Sequence, residues 1–177
     1  SHPDYIREAY HLGMTRIFLP ELDAAFETAQ NNPHHCYTVG EHLMHCMLYT
    51  EPDKSMRIAA LLHDIGKPVT KTTDEQGIDH FHGHAGVGEE MAARILRRLK
   101  FDNDTITHVR KLVKYHDYPI ETTPRAVRRA INTIGETYFS DVLAIKKADM
   151  MAQSTYQRQE KEDHLAQVEA LYQQILE

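Results

Sequence analysis

The amino-acid sequence predicts an all-α fold. Apolar residues recur at helical spacing through most of the 177 positions, and good N-capping residues stand just ahead of several of these runs while Gly or Pro closes them. The one long stretch without a helical period, residues 68–83, has Thr-rich edges and a Glu75-Gln76-Gly77 corner, and reads as a short loop or hairpin insertion.

Residues 4–30 read as helix divided near Gly13 and Pro20, with Tyr5, Ile6, Ala9 and Tyr10 as a first apolar face and Leu22, Phe26 and Ala29 as a second. Asn31-Asn32-Pro33 breaks the pattern. Thr38-x-x-Glu41 is a capping box for a helix through about Thr50. With Val39, Leu43, Cys46 and Met47 as its buried stripe, a step of ~100° per residue puts His42 on the flank of that stripe and His45 opposite it, facing water. Met56, Ile58, Ala59, Ala60, Leu61 and Leu62 form a helix apolar on most sides, which places it centrally. From Ala85 to Lys100, Val87, Met91, Ile95 and Leu99 form a stripe, leaving Arg94, Arg97 and Arg98 to solvent. Asn103 or Asp104 caps a helix through Tyr115 that carries Ile106, Val109, Leu112 and Val113. Thr123-Pro124 opens a helix to about Ile134, ended by Gly135. The next runs from about Tyr138 to Ala152. A polar helix over about 160–176, with Leu165, Val168, Leu171, Tyr172 and Ile175 as its stripe, reads as a terminal brace.

Length and 41% hydrophobic content suit one domain spanning 1–177, with a motif-bearing core at about 31–153. A net charge of −6 argues against a nucleic-acid coat or an anionic-membrane binder. Cys36 and Cys46 form neither a CxxC pair nor a disulfide framework, which suits a reducing compartment. No apolar run approaches the ~20 residues of a membrane span, and no signal peptide is visible, so a cytoplasmic location is expected. Ser1-His2 reads as a cloning remnant, so the natural chain is expected to extend upstream.

Thirteen histidines are the compositional oddity. The apolar run Ala59 to Leu62 ends abruptly in His63-Asp64, ahead of Gly66 and Pro68. A buried imidazole beside a buried carboxylate is costly unless something binds both, and a metal ion is the simplest partner. Taken alone, the pair could equally be a histidine and an aspartate that close a helix. It is not alone. His42 flanks a core stripe, His84 opens a helix, His116-Asp117 ends another, and Asp149 falls in line with Val142 and Ile145. The competing reading of Asp149 is an ion pair with Lys146 three residues earlier.

Imidazole with carboxylate suits manganese, iron, nickel, cobalt or zinc, whereas magnesium prefers oxygen ligands. Six such groups exceed the needs of one tetrahedral ion, so His42, His63, Asp64, His84, His116 and Asp149 could hold one or two divalent ions, with Asp64 as the bridge. Such a pair suits phosphoester hydrolysis on a nucleotide or other phosphoester substrate, with His63 and Asp64 at its centre.

The words Asn32-x-x-His35-x-Tyr37-x-Val39-x-Glu41-His42, Leu61-Leu62-His63-Asp64-Ile65-Gly66-Lys67-Pro68, Phe81-x-Gly83-His84 followed by Gly88, and Ala148-Asp149-x-x-Ala152-Gln153 resemble the HD superfamily of metal-dependent phosphohydrolases. Within it they are most similar to the HD domain of bacterial CCA-adding tRNA nucleotidyltransferases. The resemblance covers about Asn31 to Gln153. It implies an HD-domain helical bundle, metal binding by His42, His63, Asp64 and Asp149, phosphatase or phosphodiesterase activity as in some members, and tRNA as a possible partner. His84 and His116 resemble the additional histidines of two-metal HD phosphodiesterases, but no Gly-Tyr-Pro word follows His116, so specificity for cyclic-di-GMP is not expected. The Gly-Ser word and paired aspartates of the nucleotidyltransferase head do not occur in these residues, so this chain alone is not expected to add CCA. An HD module that binds RNA without turnover is the competing function.

Three further features have two readings each. Lys67 either holds a phosphate as a third catalytic group or is a surface lysine. His35 either lines the pocket or packs. Arg125, Arg128 and Arg129 either form a nucleotide-binding patch or are simply solvated.

Overall fold

The computed structural model describes residues 2–176. Eleven helical segments and one two-stranded hairpin follow in chain order: α1 (Pro3–His11), α2 (Thr15–Phe18), α3 (Pro20–Phe26), α4 (Val39–Leu48), α5 (Lys54–Leu62), α6 (Lys67–Thr70), β1 (Thr72–Thr73), β2 (Asp79–His80), α7 (His84–Arg98), α8 (Asn103–Tyr115), α9 (Pro124–Ile134), α10 (Glu136–Ala152) and α11 (Arg158–Leu176). The all-α expectation holds. β1 and β2 pair antiparallel, Thr72 opposite His80 and Thr73 opposite Asp79.

The caps act as their chemistry dictates. Thr38, Asp53 and Thr123 each accept a backbone N–H from the third residue onward, satisfying a donor that the helix start leaves orphaned. The box at Thr38 is half closed, because Glu41 turns its carboxylate to Arg7 at 2.9 Å. Asp102, not Asn103 or Asp104, caps α8, accepting the Thr105 amide at 2.8 Å. The helix therefore begins one or two residues earlier than the sequence suggests.

α5 packs against α4, α8 and α10, the central position its composition required. Ala59 and Ala60 are fully buried in it, and such short side chains let neighbouring helices approach closely. α11 lies on α9 and α10 through buried Leu165, Val168 and Tyr172.

Four local expectations fail. Lys67–Thr70 forms a helical turn where loop was expected, Pro68 serving as a first-turn residue. Val87 is exposed and Gly88 buried, so the inner face of α7 runs through Gly88, Ala92, Ile95 and Leu96. His45 stacks on Tyr37 with ring centroids 4.1 Å apart and is half-buried rather than turned to water. Tyr5 and Ala29 are exposed, leaving Ile6, Tyr10 and Phe26 as the contacts of that region.

Candidate metal centre

Helix ends deliver the imidazoles. His63 follows the last residue of α5, His116 follows α8, and His84 begins α7 behind Gly83, whose φ of +78° turns the chain into the helix. Each of these rings sets Nδ1 on the carbonyl three residues earlier: His63 on Ala60 at 2.8 Å, His84 on Phe81 at 2.8 Å, His116 on Val113 at 2.7 Å. His42 sets Nδ1 on the Ala152 carbonyl at 3.4 Å. A carbonyl can only accept, so the first hydrogen of each ring sits on Nδ1; Nε2 of the neutral ring offers its lone pair to a metal, and without one it can take up a proton and donate to a neighbouring carboxylate.

Those lone pairs converge. His42 Nε2 lies 3.2 Å from His63 Nε2, and His84 Nε2 lies 3.2 Å from His116 Nε2. Two acceptors aimed at each other repel unless a cation stands with them. Asp64 divides its carboxylate between the two pairs. Its Oδ2 is 3.5 and 3.4 Å from Nε2 of His42 and His63, and its Oδ1 is 3.3 and 3.4 Å from Nε2 of His84 and His116. Asp149 Oδ1 closes the first group, 2.9 Å from His42 Nε2 and 3.6 Å from His63 Nε2. Ligands about 2.1 Å from one ion stand about 3.0–3.4 Å apart along the edges of an octahedron or tetrahedron, close to the spacings seen here. The donor set therefore fits a divalent transition-metal ion in two places: His42, His63, Asp64 and Asp149, and Asp64, His84 and His116.

The charges are balanced internally. Burial alone would push the Asp64 carboxyl up, but Lys67 and His63 outweigh it and hold it well below the usual carboxylate range. Burial likewise opposes ionisation of Asp149, and hydrogen bonds from His42 and His63 overcome it. For His63 burial disfavours the charged ring, yet Asp64 raises it well above its ordinary value. Three acceptors surround the Lys67 ammonium, one for each hydrogen: Asp64 Oδ2 at 2.7 Å, Gln30 Oε1 at 2.8 Å and His35 Nε2 at 3.4 Å. Lys67 is buried, so the surface-lysine reading does not hold, and it lines the cleft with its ammonium on Asp64. It is a positioning residue for Asp64. His35, driven down to about 3 chiefly by burial and then by Lys67, remains neutral beside it.

All six ligand candidates read from the sequence meet here. The ion pair considered for Asp149 does not form, since Lys146 donates instead to the His116 and Tyr118 carbonyls at 2.9 and 2.8 Å. Arg125, Arg128 and Arg129 are exposed on α9 and line none of the residues around the centre. Gln30, which holds Lys67, and Gln153, which donates to Asp149 Oδ1 at 3.1 Å, were not assigned roles from the sequence. Gln153 at least stood four residues after Asp149, the spacing of helical neighbours. Nothing local marked Gln30, which lies 37 positions from its lysine. The centre opens into a cleft of about 710 Å³, whose walls include His34, His80, Phe81, His82 and Lys161.

The chain is 34% identical over 146 residues to the A-adding tRNA nucleotidyltransferase of Deinococcus radiodurans, a match covering 80% of this chain and 33% of that protein. It is 31% identical over 160 residues to the CC-adding tRNA nucleotidyltransferase of Thermus thermophilus, covering 87% of this chain and 36% of that protein. The chain thus spans about a third of the length of these relatives. The sequence profile of the HD domain matches residues 34–169, from just ahead of α4 into α11, and so takes in every side chain of the paired sites. This chain belongs to the HD domain family.

Proposed function

We propose that the chain is a metal-dependent phosphohydrolase, acting in the cytoplasm as one HD domain on a nucleotide, a 2′,3′-cyclic phosphate or an RNA-terminal phosphate. The observation that carries this reading is the division of Asp64, with one oxygen turned to His42 and His63 and the other to His84 and His116. A module that only bound RNA would need no such split carboxylate. Bound at these positions, divalent transition-metal ions supply charge for phosphoryl oxygens and a nucleophile usable at neutral pH. The protein's own residues do the rest. Lys67 fixes the orientation of Asp64, Gln153 that of Asp149, and the carbonyls of Ala60, Phe81 and Val113 fix the ring planes of three histidines. The surrounding cleft is large enough for a nucleotide.

The test is a screen of mono-, di- and cyclic phosphoesters with manganese, nickel, cobalt and magnesium added one at a time. Hydrolysis with a transition metal, weak with magnesium, is expected. Protein loaded with manganese or nickel but inert on every ester would overturn the reading. That outcome would favour a metal-binding accessory module for tRNA, the reading that the names of the two relatives support.

A further inference from the structure

A second groove, of about 460 Å³, lies between α10 and α11 and is continuous with the metal cleft, for His116, Asp117, Asp149, Gln153 and Lys161 line both. Two half-buried ammonium groups border it. Lys146 Nζ donates to the carbonyls of His116 and Tyr118, and Lys161 Nζ donates to Gln153 Oε1 at 2.7 Å and His34 Nδ1 at 3.1 Å. All four acceptors are neutral. Among the described residues neither lysine has a carboxylate within 4.0 Å, and each keeps one N–H beyond its two hydrogen bonds. The acids lining the groove are Asp117, which faces His84 at 3.7 Å, Asp149, which faces His42, and Glu160, exposed at the rim; Asp149 favours the charged form of both lysines and Asp117 that of Lys146, without a direct ion pair.

Burial pulls both lysines below their ordinary range. Half-buried cations served only by neutral acceptors are a cost to the free protein that a bound anion would relieve. The groove is also close to the reacting centre. Only the Gln153 amide separates Lys161 from Asp149, with 2.7 Å on one side and 3.1 Å on the other.

We infer that this groove is a second phosphoryl subsite, so that the preferred substrate carries two phosphoryl groups, one at the metal centre and the other between Lys146 and Lys161. The inference deepens the phosphohydrolase reading and rests on it for the role of the metal centre. Two arrangements share this chemistry: a diphosphate chain, and a bisphosphate with its groups on different sugar oxygens.

Binding separates the cases without requiring turnover. Calorimetry on the manganese-loaded protein would compare AMP, adenosine 5′-(α,β-methylene)diphosphate and adenosine 3′,5′-bisphosphate. At least one two-phosphate ligand is expected to bind tenfold or more tighter than AMP, and whichever does so identifies the arrangement. Lys161→Met should reduce that ratio to about two or less with manganese stoichiometry preserved by elemental analysis. Lys146→Met should act in the same direction. Because its loss also frees two carbonyls, Lys146→Arg serves as its control and should restore most of the ratio. Circular dichroism melting checks that each variant is folded. Equal affinity for AMP and both two-phosphate ligands, or a ratio untouched by Lys161→Met, would overturn the subsite. A clear two-phosphate preference in a protein that hydrolyses no phosphoester would instead defeat the hydrolase reading and leave the groove as an anion site.

Discussion

A carboxylate that must present one oxygen to each of two sites cannot be free to rotate, and Lys67 is what holds Asp64 still. The same lysine neutralises a charge that is 2% exposed. Removing one partner of a buried ion pair costs about 3–5 kcal/mol because the other is left uncompensated. Lys67→Met should therefore lower the melting temperature of the metal-free protein sharply, and manganese should restore much of the loss by supplying the missing positive charge. Equal destabilisation with and without metal would show that the lysine acts by packing alone. Asp64→Ala should be more severe for the site. It removes the only side chain shared by the two groups of donors, so elemental analysis should find little bound manganese, and full occupancy would refute the bridging role.

Between elements, the centre depends on how closely the turn after α5 meets the start of α7. A Cβ on Gly66 would collide with the His84 carbonyl oxygen and the Gly88 amide, so only glycine lets these segments touch. Gly66→Ala should push α7 outward and carry His84 with it. Weaker binding at the Asp64, His84 and His116 position is expected, measurable as a lower manganese stoichiometry in calorimetry. The hairpin has its own anchor in Asp79, buried and bonded to Lys71 Nζ at 2.8 Å, the Asn31 amide at 2.7 Å and Thr73 Oγ1 at 2.7 Å. The hydrogen bond from Lys71 leads in bringing its carboxyl from 3.8 down to about 2. The folded value lies below the unfolded one, so this contribution is fully present above about pH 4 and is lost as pH falls toward about 2. Asp79→Asn should cost about 1–3 kcal/mol at neutral pH and flatten the acid side of the stability curve, as urea titrations between pH 2 and 5 would reveal.

For the molecule as a whole, an ion that binds only the folded state adds RT ln(1 + [L]/Kd), about 2.7 kcal/mol at a hundredfold excess over Kd. Chelation should therefore lower the melting temperature by several degrees. An unchanged melt on adding EDTA to manganese-loaded protein would mean that the donors hold no ion tightly. Incubated with tRNA, CTP and ATP, these 177 residues by themselves should incorporate no nucleotide, because they lack the Gly-Ser word and paired aspartates of a nucleotidyltransferase head. Labelled nucleotide in the tRNA would contradict that. Among the described residues no helix is long and apolar enough to cross a membrane.

Helix content, most boundaries and the six side chains of the centre could be read along the chain, since capping chemistry and the period of apolar residues act within a few positions. His63 was conspicuous because it ends an apolar run, His116 because it closes a helix, and Asp149 because it sits in phase with Val142 and Ile145. Which atom meets which was not readable. His42 turns its Nδ1 to a carbonyl 110 residues away, Lys67 takes an acceptor from Gln30, and Lys146 leaves its helical neighbour Asp149 for the end of α8. Local spacing can state that a polar side chain points inward. Only the packing of α4, α5, α7, α8 and α10 into one core decides which oxygen of Asp64 faces which pair of histidines, because a buried charge takes the partner that tertiary contact brings within reach.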